Sequence, residues 1–185
     1  MSEPGLDGVP LVADVAAAFT QFLTATETRL HDGMMSVLLD LHANNFAQWN
    51  REDAARSPDI DATALAVAKR DIDRMNSVRH RLMEAIDAAI NTAIRQNPSA
   101  RPCTETPAMA YDRLSVLIIR IHFTQRAAAE QPEAREYAAR LPALHRQRDV
   151  LEEALSGLFE DLQAGRRRFV PYESLKLYQA PPESP

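Results

Sequence analysis

Four residue types that can do chemistry follow Leu38 at helical spacing: His42, Asn45, Trp49 and Glu52. Steps of three and four residues put them on one helix face, with Phe46 and Asp53 alongside. An imidazole and a carboxylate are the usual partners in general acid–base work, so His42 with Glu52 or Asp53 is the candidate proton-transfer set. Nearly three turns, about 15 Å along the axis, separate His42 from Glu52, too far for a direct pair. A working site therefore needs a group from another helix beside His42, such as Asp112 or Asn76. The competing reading is a half-buried histidine bonded to a neighbouring carbonyl.

Two arginines interrupt apolar stripes further along. Leu65, Ala68, Ile72 and Met75 are followed at the same spacing by Leu82, Ile86, Ala89 and Ala93, and the missing step is Arg79. A second stripe, Tyr137, Leu141, Leu144, Leu151, Leu155, Leu158 and Leu162, is broken at Arg148. Such stripes are the contact faces of antiparallel helical bundles. A guanidinium on that face needs an anion or a route to water, because burying it unpaired costs several kcal/mol. Three readings stay open. Glu52, Asp53, Asp71 and Asp112 can supply a structural ion-pair layer, or the arginines can snorkel at the bundle edge. Alternatively Arg79 and Arg148 flank a cavity and hold a phosphate or carboxylate, with His42, Asn45, Asn76, Glu52 and Asp112 lining it and Trp49 as its wall.

Other chemistries lack their residues. The five glycines leave a gap from Gly33 to Gly157, which excludes Gly-rich nucleotide loops. His42, His80, His122 and His145 fall on four helices, but neither Glu-x-x-His nor His-Glu-x-x-His occurs, and Cys103 has no second cysteine. No metal or cofactor is therefore expected, and Cys103, in a proline-rich link, is a poor nucleophile candidate. A net charge of −5 gives no general field for nucleic acid, despite the Arg166, Arg167, Arg168 run. That run, with Phe169, Tyr172, Lys176 and Tyr178, either complements a helix end or folds back over the bundle mouth to extend an anion site.

The elements that must position these groups are all helical. Proline and glycine punctuation predicts five helices: about 10–31, 34–57, a long third over 62–96 with Asp61 as N-cap, 107–130 opened by Thr106 and Pro107, and 132–162 with Gly165 beyond its end. Pro142 is expected to kink the fifth helix or mark its true start. No stretch alternates with period two, so no strands are expected. The reading is an all-α antiparallel bundle over residues 10–165, with a disordered tail over 1–9 and an irregular one over 166–185. The longest apolar run, Leu114 to Ile119, is closed by Arg113 and Arg120, and the N-terminus carries no secretory signal, so no membrane span and a cytoplasmic address are expected.

Three blocks, LHANNFAQWNREDAAR at 41–56, KRDIDRMNSVR at 69–79 and ETPAMAYDRLSVL at 105–117, with a looser YESLKLY at 172–178, resemble a bacterial domain-of-unknown-function family, number 4254. Ala108 stands where that family is expected to carry a glycine. The resemblance implies an all-helical bacterial protein often encoded beside glycosyltransferases and surface-polysaccharide genes, and it assigns no catalytic residues. Two functions are consistent with all this. One is a protein that binds or transforms a small anionic, sugar-related ligand; the other is a non-catalytic helical adaptor, pairing with a glycosyltransferase or with itself as a homodimer.

Overall fold

A computed structural model describes residues 8–24 and 31–175. Lys176 and Tyr178 lie outside the described residues. The architecture is all-α: α1 (Val12–Phe22), α2 (Gly33–Ala55), α3 (Ala62–Ala93), α4 (Pro107–Glu130) and α5 (Arg135–Gln163). Helix starts follow the local chemistry. The Asp61 side chain accepts from Ala64 N at 2.8 Å, and Thr106 accepts from Met109 N at 3.3 Å with Pro107 in the first turn. α5 begins at Arg135 and runs on through Pro142, so that proline does not mark its start.

α2 and α3 form one antiparallel hairpin and α4 and α5 another. α4 packs against both α2 and α3, and α1 seats against α2, α4 and α5. α3 and α5 do not pack against each other. The core is built from Phe19, Leu38, Leu41, Ile86, Ile90, Tyr111, Leu114, Leu155 and Leu162. Two short strands, β1 (Arg101–Pro102) and β2 (Arg167–Arg168), pair in parallel, where none was expected. A two-residue strand is too short to show alternation, so pattern reading cannot find it.

The α3 stripe drifts. Leu65, Ala89 and Ala93 are exposed, whereas Met83, Ile86, Asp87, Ile90 and Ile94 are buried. A straight helix turns 3.6 residues per turn, so a face read at period 3.5 slides off the true contact line over a helix of 32 residues.

After α5 the chain folds back along α3. Phe169 N donates to Gln96 Oε1, Tyr172 N to Asp87 Oδ2 and Ser174 N to Glu84 Oε1, at 2.7, 2.9 and 2.8 Å. The Tyr172 ring stacks on His80, and its hydroxyl lies 2.6 Å from His80 Nδ1. Asp87 also accepts from Ala108 N at 2.9 Å, so one carboxylate ties α3 to the start of α4 and to the returning chain. Burial raises its pKa, opposed by the bonds from Thr106, Ala108 and Tyr172.

Candidate functional site

The polar face of α2 meets α4 in a continuous hydrogen-bonded seam. His42 Nδ1 lies 2.9 Å from Ser115 Oγ. Asn45 Nδ2 donates to Ser115 Oγ at 3.1 Å and to Asp112 Oδ1 at 2.9 Å. Across from α3, Arg79 grips the same carboxylate with both tines: Nε donates to Asp112 Oδ1 at 2.7 Å and Nη2 to Oδ2. That bidentate fork holds Arg79 above its ordinary pKa. Three helices thus contribute to one node. Asp112 is 8% exposed and Arg79 29%, so the node is sealed on the carboxylate side and open on the guanidinium side.

One turn further along α2, Gln48 Nε2 donates to Glu52 Oε1 at 2.9 Å and to Asn76 Oδ1 at 3.2 Å. Trp49 stacks on Phe123, with ring centroids 5.6 Å apart. His42, Asn45, Glu52, Asn76, Arg79, Asp112 and Trp49 therefore line one seam. Asp53 does not join it; its exposed carboxylate pairs with Arg56, the residue that caps the end of α2.

Arg148 does not join it either, so the two arginines do not converge on one cavity as their matching stripe positions led us to expect. Its guanidinium pairs with Asp149 at 2.7 Å and Glu152 at 3.3 Å, both on α5. The reason is topological: α5 packs on α4 and not on α3, so equal stripe interruptions on the two long helices face different neighbours.

Four side chains on the α2 face leave a buried polar atom without a hydrogen-bond partner: His42 Nε2, Asn45 Oδ1, Gln48 Oε1 and Trp49 Nε1. Native proteins rarely leave such atoms unsatisfied, and each calls for ordered water or a ligand. The set offers both donors and acceptors. His42 itself is fully buried, packed against Phe19 with ring centroids 4.4 Å apart. Burial lowers its pKa to about 3, against a weaker upward pull from the Phe19 backbone, so at neutral pH the ring is uncharged. Its contact with Ser115 Oγ ties α2 to α4.

On the other side of Asp112 a groove of about 1420 Å³ runs along the α4–α5 hairpin, with Arg79 and Asp112 in its wall. Cys103 borders it, and burial raises the thiol's pKa, the opposite of an activated nucleophile. Among the described residues no group of three or more His, Cys, Asp or Glu is placed to hold a metal ion. No helix there is long and apolar enough to cross a membrane.

The sequence profile described as "Protein of unknown function (DUF4254)" matches residues 35–170. The chain belongs to this family. The family match spans α2 to β2 and so contains the whole seam and the groove. No curated protein and no solved structure matches the chain.

Sequence reading missed Ser115 and Gln48, and named Tyr172 only within the tail that complements a helix end or folds back over the bundle mouth. Ser115 carried a signal, as the one polar residue inside the apolar run from Leu114 to Ile119. Gln48 carried another, lying three residues after Asn45 on the same face. Tyr172 comes from a segment with no periodicity at all.

Proposed function

We propose that the protein binds a small, hydroxyl-rich ligand carrying an anionic group, of the sugar-phosphate kind, at the Arg79–Asp112 node and the groove beside it. The observation that carries this reading is the Arg79–Asp112 fork in the groove wall, backed by the α2 face on which Asn45 and Ser115 join Asp112 to His42. Asn45 Oδ1, Gln48 Oε1, Trp49 Nε1 and His42 Nε2 lie behind Asp112 and off the groove, where ordered water suits them, and the ligand's hydroxyls meet the network at Asp112 itself. Arg79 has its Nη1 uncommitted and faces solvent, which suits a ligand atom arriving from the groove. A place in bacterial glycan or surface-polysaccharide metabolism fits that ligand class. The reading is one of binding; no proton-transfer step is assigned to His42, whose ring is a weak base in this setting.

Thermal unfolding in the presence of hexoses and hexose phosphates tests it. A ligand at 100 times its dissociation constant adds about 2.7 kcal/mol of stability. Stabilisation by a hexose phosphate, lost in Arg79→Met and in Asn45→Leu while both variants remain folded, is the expected result. No stabilisation of the parent protein by any member of the panel contradicts the proposal.

A second reading, the helical adaptor, is favoured by one observation: α5 buries only Leu155, Phe159 and Leu162, all in its last third. Its first half, with Tyr137, Leu141 and Leu144 half-buried and Val150 exposed, is a face on which a transferase or a second copy can seat. Mass measurement in solution, alone and with a candidate glycosyltransferase, decides it. A monomer that retains no partner removes this reading.

A further inference from the structure

We infer that Arg120 and Arg146 form a subsite for the ligand's phosphate at the end of the groove remote from Arg79, a placement that rests on the ligand reading above. The groove's charges are segregated. Its lining carboxylates are Glu105, Asp112, Glu160 and Asp161. All four sit where α4 begins and α5 ends, which in an antiparallel hairpin is one and the same end. Three of them are occupied: Glu105 by Arg113, Asp112 by Arg79, and Asp161 by Arg166 and Arg167.

The other end, toward the turn that joins α4 to α5, is lined by Arg120 and Arg146 with Val116, Val150 and Gln147, and by no carboxylate. Neither arginine has a carboxylate partner among the described residues. Each is about three turns from that turn, so the hairpin brings them to the same level on facing helices. Arginines on two facing helices, both lining one groove and neither paired with a carboxylate there, offer forked donors from which phosphate oxygens can accept. Eight residues along α4 separate Arg120 from Asp112, about 12 Å. That span fits a sugar phosphate or a sugar linked to a diphosphate, with its hydroxyls at Asp112 and its phosphate at the arginine pair. It also explains why the anion has no need to displace Asp112 from Arg79.

The test uses the whole chain and three probes: inorganic phosphate, a hexose and the corresponding hexose phosphate. Arginine Nε–H resonances are followed during each titration in the parent protein, R120Q, R146Q and the double variant, with R148Q as a control. Both arginines are exposed, so the substitutions leave the fold intact, as the circular dichroism spectrum checks. Inorganic phosphate is expected to shift Arg120 and Arg146. The double variant is expected to lose about tenfold or more in phosphate affinity, and to lose the preference for hexose phosphate over hexose, with hexose binding unchanged. R148Q is expected to behave as the parent. Phosphate that shifts neither arginine, or that binds the double variant as well as the parent, overturns the subsite. Failure of the unmodified hexose to bind, with the phosphate response intact, counts against the node at Arg79 and leaves the subsite standing.

Discussion

Arg79 and Arg148 enter the protein in the same way and end differently. Each replaces an apolar residue at the centre of a long helix's stripe. Arg79 reaches across to a carboxylate on another helix that is 8% exposed, and it joins a network running to a fully buried histidine. Arg148 stays on α5 with Asp149 and Glu152, neighbours it would have in an isolated helix. The difference lies in the neighbours, not in the arginines. A break in a stripe marks a place where something must compensate a charge; the tertiary contacts decide whether that compensation builds a site or only a solvated pair.

The contrast is sharpest in what each partner is worth. Asp112→Ala removes the carboxylate that the half-buried Arg79 guanidinium grips with two bonds and one acceptor of Asn45, and is expected to cost about 3 kcal/mol in urea unfolding. If the cost is no greater than for Glu152→Ala, the two arginines are equivalent and the contrast fails.

A pH experiment probes the far end of the same network. The folded pKa of His42, about 3, lies below the ordinary value of 6.5. A depressed folded pKa contributes stability that is complete above pH 6.5 and is lost as pH falls toward 3. The loss runs at about 1.4 kcal/mol per pH unit, or about 2 kcal/mol by pH 5. Comparing urea midpoints at pH 7 and pH 5 in the parent and in His42→Gln isolates this share, since the glutamine cannot take up the proton. Equal pH dependence in the two proteins would show that the ring is not buried in its neutral form. The smallest effect belongs to α5: Arg148→Ala is expected to change stability by less than about 1 kcal/mol, because its partners are near neighbours on its own helix that no other element seals in.

Much of the fold was legible in the sequence because its signals are local. Asp61, Thr106 with Pro107, and Gly165 with a φ of +66° mark helix ends within a residue or two of where they fall. The α2 face was legible for the same reason, since His42, Asn45, Trp49 and Glu52 lie on one short helix. What escaped depends on which helices touch. Periodicity puts Arg148 on a face but does not say which helix lies opposite, so the ligand-binding and ion-pair readings stay open until the packing is seen. Arg146, two residues earlier and off the stripe, faces the groove instead. Asp87, beside Ile86 on α3, is fully buried because the start of α4 and the returning chain at Tyr172 both donate to it, contacts that no helical period records.

The most direct test of the ligand site follows the side-chain Nε–H signals of Arg79 and Arg148 in one nitrogen–proton spectrum while a hexose phosphate is added. Binding at the three-helix node predicts a saturating shift of Arg79 with Arg148 unmoved. A saturating response of Arg148 with Arg79 silent, or no response from Arg79 at any concentration, would contradict it.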